Sequence, residues 1–187
     1  MHMGPLGVLS YFVGSILWEL VFDGGWGGTK DQNLSTLWEY IHSIYRSERV
    51  SNRLTMLTFG MFAHGDSEFS FFTGKAGETL ALMHVLFRMC SEMNTGSERD
   101  SHRLICLEAL CYIFDQVKAH GQTIPLDVAE LMLERCDEFL VHYNWLHKHH
   151  ADNGRLHYHI VLTFHMMWHI VYHACFFFVE SEGELVF

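Results

Sequence analysis

The chain has 187 residues, 49% of them apolar and 18% charged, with only two prolines, so it can bury a substantial core and wholesale disorder is excluded. Twelve Lys and Arg stand against 22 Asp and Glu, a formal charge of -10, and the field of such a molecule repels nucleic acid. Mean hydropathy is +0.08, short of a multi-span membrane protein, and the compositional oddity is histidine, with 15 residues.

The first element spans Leu6 to Asp23 and is apolar nearly all round, the pattern of a helix enclosed by others. No Lys or Arg precedes it and Glu19 interrupts it, which argues against a signal peptide. It ends in Gly24-Gly25-Trp26-Gly27-Gly28, a loop. After Asp31, the spacing of Leu34, Leu37, Trp38, Ile41, Ile44 and Tyr45 predicts an amphipathic helix. From Val50 to Thr73 the pattern is mixed. Leu54, Met56, Thr58 and Phe69-Ser70-Phe71-Phe72 could alternate about a turn at His64-Gly65-Asp66, so a short β-hairpin over residues 54–73 and a helix with a loop both fit.

Leu80, Met83, His84, Phe87 and Cys90 restore the helical period and stop at Asn94-Thr95-Gly96. The next helix is expected from Glu98 to Lys118, buried through Leu104, Leu107, Leu110, Cys111, Phe114 and Val117, with Gly121 just past its end. Pro125 opens another, which Val128, Leu131, Met132, Cys136, Phe139, Leu140 and Tyr143 carry towards His147. A turn at Ala151-Asp152-Asn153-Gly154 then precedes a last aromatic helix from Leu156 to Phe178. The expectation is a mainly α single domain of five to six helices over residues 1–179, with an irregular tail at 180–187.

The five cysteines include no CxxC, and four lie in helical apolar patterns, which fits a reducing intracellular compartment. Ile160 to Phe178 is long enough to cross a membrane, but His165, His169 and His173 are costly in hydrocarbon, so a membrane location is disfavoured.

Nine histidines, His142, His147, His149, His150, His157, His159, His165, His169 and His173, crowd into 32 residues. Four-residue steps on a helix drift by only about 40°, so His165, His169 and His173 form a stripe whose neighbours could chelate zinc, copper or nickel. The stripe lacks the Glu of a HExxH pair. The simpler expectation is neutral, hydrogen-bonded imidazoles, with His147 to His150 a solvated helix end favoured by the helix dipole; zinc on the stripe is the alternative. No G-x-S-x-G or phosphate-loop motif occurs, and Gly74 to Glu78 reads as a loop entering a helix, with Glu78 in the first turn.

Several strings together resemble transposase-like proteins of DNA transposons from microalgal genomes, distantly related to the CACTA type. They are Leu6-Gly7-Val8, Tyr11-Phe12-Val13-Gly14-Ser15-Ile16-Leu17 and Val21-Phe22-Asp23, followed by Ser51-Asn52-Arg53-Leu54, Met61-Phe62 and Gly74-Lys75-Ala76-Gly77-Glu78. His142-Tyr143-Asn144-Trp145-Leu146 and Phe164-His165-Met166-Met167-Trp168-His169 complete the set. The resemblance implies an RNase H-like parent whose acidic side chains hold two divalent ions, with DNA as partner and the nucleus as location. Against that pattern the chain opens inside a motif and ends soon after His173, and Cys175-Phe176-Phe177-Phe178 departs from it. None of Asp23, Glu78, Asp115 or Glu180 can be assigned as a catalytic carboxylate, and the scarcity of Lys and Arg opposes a DNA channel. The expectation is therefore a transposase-derived helical fragment, catalytically inactive and without a cofactor of its own, acting by packing or protein association. A metal-binding helical bundle is the alternative. Trp18, Phe22 and Phe176 to Phe178 are the side chains expected to lie uncovered and to drive self-association.

Overall fold

The all-round apolar pattern at the start of the chain becomes α1 (Val8–Phe22), which is buried on nearly every side. The computed structural model describes residues 7–23, 26–63, 69–121, 124–160, 164, 167–169 and 172. In chain order the helices after α1 are α2 (Lys30–Ser47), α3 (Ala76–Glu92), α4 (Glu98–His120) and α5 (Leu126–Asp152), with a 3-10 turn at Phe59–Met61 between α2 and α3. The described residues beyond 160 are also helical. The protein is mainly α-helical, and no strand occurs among the described residues.

Along α1 only Tyr11, Trp18 and Phe22 keep partial exposure, because α2, α3 and α5 each take one side of it. Phe12 meets Phe139 and Tyr143 of α5 at ring-centroid distances of 5.9 Å, and Phe139 stacks on Phe164 at 5.8 Å. Helices α4 and α5 are antiparallel and make the most extensive helix pair. Their register is marked by Cys106 opposite Phe139 and His102 opposite His142.

Local chemistry sets the helix ends. The N-cap of α2 is Thr29: its hydroxyl accepts from Gln32 N while the Gln32 side chain accepts from Thr29 N, a reciprocal box that satisfies two otherwise orphaned donors. Ser97 caps α4 by accepting from Asp100 N. At the other end Gly121, with φ of 63°, takes the left-handed turn that ends the helix. Glu78 accepts from Lys75 N in the first turn of α3, as its position in the sequence implies.

The hairpin reading of residues 54–73 is corrected: the described part holds loops and the 3-10 turn, while residues 64–68 lie outside the described set. Instead of pairing with a second strand, residues 69–75 lie on α1, where Phe72 N donates to Ser10 O at 2.8 Å, and Thr73 N donates to Met61 O. Gly14 permits the approach, since a Cβ there would sit 2.5 Å from the Phe71 Cα. Burial does alternate along this segment, with Ser70, Phe72 and Gly74 turned inward, but in the opposite phase from the apolar alternation of Phe69 and Phe71, so the apolar pattern does not mark the buried side.

The start of the last helix is corrected too. α5 runs to Asp152, and residues 155–160 form a non-helical connector that doubles back onto α1. Tyr158 N donates to Ser15 Oγ at 2.9 Å, and Tyr158 holds a φ of 53°, which costs about 1–3 kcal/mol for a bulky residue and persists because its surroundings fix it. The tail at 180–187 lies outside the described residues.

Candidate functional site

Glu19 is the one charged residue of α1, and it is 3% exposed in the middle of the core. A carboxylate in that position needs cationic partners, since desolvating it alone costs several kcal/mol. Arg103, one turn into α4, supplies them through a fork: Nη1 lies 2.9 Å from Glu19 Oε2 and Nη2 lies 2.7 Å from Asp100 Oδ1. Asp100 is in turn fixed in the first turn of α4, where it accepts from Thr95 N and Thr95 Oγ1. On the other side of Glu19, His150 from the last turn of α5 places Nε2 2.6 Å from Oε1. That contact is close but lacks hydrogen-bond alignment, as neither atom has an aligned partner within the described protein.

The connector closes the cluster. His157 Nδ1 lies 3.4 Å from Ser70 Oγ, its ring is 5.2 Å from that of His150, and Trp18 covers it at 4.2 Å. The fully buried Tyr158 ring packs 5.1 Å from His150. Burial opposes the charge on Glu19, but His150 and Arg103 outweigh it and hold its carboxyl at about 2. For His157 burial dominates, with His150 beside it, and the imidazole falls to about 4. Chemically this is a carboxylate kept ionised by a guanidinium and sealed behind an aromatic lid, an arrangement that joins α1, α4, α5 and the connector at one point.

The cluster escaped sequence reading, which took Glu19 only as an interruption and His147 to His150 as a solvated end. His150 is 1% exposed and His157 is buried, so the solvated reading of that run is corrected at His150. The available signals were a lone acid in an otherwise apolar helix and the recurrence of Asp100 and Arg103 in register with Leu107 and Leu110 on the buried face of α4.

The other histidines disperse into separate contacts. His147 Nδ1 lies 3.0 Å from Tyr158 O, His159 stacks on Phe69 at 3.8 Å, and His102 Nδ1 lies 2.7 Å from His142 Nδ1 across the α4–α5 seam. Burial, followed by the charge of His142, lowers the pKa of His102. Of the zinc stripe, His165 and His173 lie outside the described residues, and His169 packs edge-on against Trp168. Among the described residues no group of three or more His, Cys, Asp or Glu is placed to hold a metal ion.

The acids left unassigned by the resemblance are dispersed. Asp23 pairs with Arg155 below α1, Glu78 closes the start of α3, Asp115 lies 3.3 Å from His84 on the surface of α4, and Glu180 is outside the described residues. Glu19 and Asp100 are two buried carboxylates that do converge, and they have the Arg103 guanidinium between them. A cation already stands where divalent ions would have to sit, so these residues do not fit a two-metal centre. Cys90, Cys106, Cys111 and Cys136 are all buried, and burial pushes their thiols up, to about 11 at Cys90 and about 12 at Cys111 and Cys136, so they behave as small apolar residues.

Trp18 and Phe22, expected at an uncovered surface, stack on each other at 4.7 Å and pack against the core; Phe176 to Phe178 lie outside the described residues. Among the described residues the large apolar side chains that do face outward are Met56, Leu126, Leu131, Val141, Leu156 and Ile160, with Val141 66% exposed. No helix among the described residues is long and apolar enough to cross a membrane. No protein-family model, curated protein or solved structure matches the chain.

Proposed function

We propose that the chain is a helical protein-association domain of transposase-like descent, without strand-transfer chemistry of its own. The observation that carries this reading is the buried clamp of Glu19, Arg103 and Asp100, in which converging carboxylates are neutralised and used to lock helices together. The outward apolar side chains, Val141 and Met56 foremost, supply contact area for a partner or a second copy. The formal charge of -10 favours a protein partner over DNA. An intracellular, nuclear setting follows from the same descent, and the buried free thiols agree with a reducing compartment.

The direct test is incubation with labelled duplex DNA and Mg(II) or Mn(II), alongside light scattering without detergent. The expected outcome is intact DNA and a mass above that of one chain. Cleavage or strand transfer that a single carboxylate substitution abolishes would overturn the non-catalytic reading, and a monodisperse monomer would overturn the association reading.

A further inference from the structure

His102 and His142 come from different helices, and their Nδ1 atoms are only 2.7 Å apart. Two neutral imidazoles can share such a distance as an N–H···N hydrogen bond, with one ring donating and the other accepting. Their ring planes are already set: His102 lies flat on Trp145 at 4.0 Å and 4°, and Trp145 lies flat on His149 at 4.8 Å and 10°. His142, Trp145 and His149 fall at three- and four-residue steps along α5, so one row of that helix holds the His102 ring from α4 in place. Both imidazoles are partly exposed, so the pair can be reached from solvent.

We propose that His102 and His142 form a two-imidazole clip that takes a borderline transition-metal dication, Cu(II) in particular. Two metal–nitrogen bonds of about 2.0–2.1 Å span about 2.9 Å at a right angle and about 3.3 Å at the tetrahedral angle. The observed 2.7 Å needs to open by about 0.2 Å for the square-planar geometry that Cu(II) prefers, and by about 0.6 Å for tetrahedral Zn(II). On binding, the ion replaces the shared proton between the two Nδ1 atoms. That proton returns through water to Nε2 of the same ring, so both imidazoles stay neutral and no net proton is released. Water fills the remaining coordination positions. Glu98, four residues before His102 on α4, acts on His102 electrostatically and adds negative charge near the ion. The clip joins α4 to α5 and stands apart from the Glu19 cluster and from the association reading.

The test uses the full chain. Cu(II) is titrated while tryptophan fluorescence and Tm are followed, with Mg(II) as a hard-cation control and with His102→Gln, His142→Gln, Trp145→Phe and His169→Ala as variants. Expected are binding of one Cu(II) per chain at the clip, quenching of the emission that Trp145→Phe removes, and a Tm rise of roughly 5–10 °C at free Cu(II) a hundredfold above Kd. His102→Gln and His142→Gln, still helical by circular dichroism, lose quenching and Tm rise together, His169→Ala keeps both, and Mg(II) produces neither. Retention of the Tm rise in His142→Gln, or its loss in His169→Ala, overturns the assignment. Should either glutamine variant fail to fold, electron paramagnetic resonance of the parent complex decides: coupling to two imidazole nitrogens supports the clip, and coupling to fewer overturns it.

Discussion

Two regions around α1 are buried to the same depth and held by opposite physics. Near its start, Phe12 enters an aromatic seam with Phe139, Tyr143, Tyr158 and Phe164, where contacts are numerous, individually weak and direction-tolerant. Near its end, Glu19 enters a charge cluster with Arg103, Asp100 and His150, where contacts are few and each is indispensable to the others. Loss of one ring from the seam leaves a smaller apolar core. Loss of one charge from the cluster leaves its partners desolvated and unpaired.

The largest expected effect tests that asymmetry with a substitution that keeps an unbranched side chain but removes the guanidinium. Arg103→Met leaves Glu19 and Asp100 buried against an apolar side chain and is expected to destabilise the fold by about 3–5 kcal/mol, read from the denaturation midpoint. Adding Glu19→Gln to that variant removes one stranded charge and should recover part of the loss, giving a coupling well above the few tenths of a kcal/mol seen between independent sites. If the two losses simply add, the cluster is not acting as a unit and the contrast with the seam fails.

The second effect is on pH. His157 faces His150, Glu19, Arg155, Ser70 and Trp18, and burial places its imidazole at about 4, below its ordinary value of 6.5. The folded state therefore binds fewer protons than the unfolded chain between those values. The stability associated with a neutral His157 is intact above 6.5 and is lost as pH falls towards 4, by about 3 kcal/mol in all. Glu19 adds a separate window, from 4.5 down to about 2. His157→Phe should flatten the stability slope between pH 6.5 and 4 and leave the lower window in place. An unchanged slope would mean that other groups carry the acid response.

What the sequence made legible follows the same division. Helical period and boundary residues located α2, α3, α4 and the start of α5 to within a few residues, because a 3.6-residue apolar repeat and an Asp, Gly or Pro at a boundary are local signals. Residues 156–160 of the connector read locally as helix, since nothing local tells that His157 and Tyr158 return to Ser70 and Ser15, far along the chain. Residues 69–75 misled for the same reason, Phe72 being paired with the backbone of α1. The charge cluster unites residues 19, 100, 103 and 150, and only the incongruity of Glu19 in an apolar helix pointed to it. The His102–His142 pair had no sequence signal, because His102 lay outside the histidine-rich stretch and only the antiparallel register of α4 and α5 unites them.

The smallest effect belongs to the seam. Phe139 meets Phe12 edge-on at 5.9 Å, Tyr143 at 5.3 Å and Phe164 stacked at 5.8 Å, and its carbonyl accepts from Cys106 Sγ at 3.7 Å. Phe139→Leu keeps most of the apolar volume, keeps the backbone acceptor and strands no polar group. It forfeits ring pairing and a little volume, for an expected loss of about 1–2 kcal/mol. Its pH profile should parallel that of the parent, since no ionisable contact changes, so the curve drops without altering shape. Arg103→Met, in contrast, should change the shape as well as the height, because Glu19 then loses the guanidinium that keeps it ionised. Measuring both variants across pH separates the two kinds of burial. A Phe139→Leu loss equal to that of Arg103→Met, or one that varies with pH, would show that the seam and the cluster are a single cooperative core.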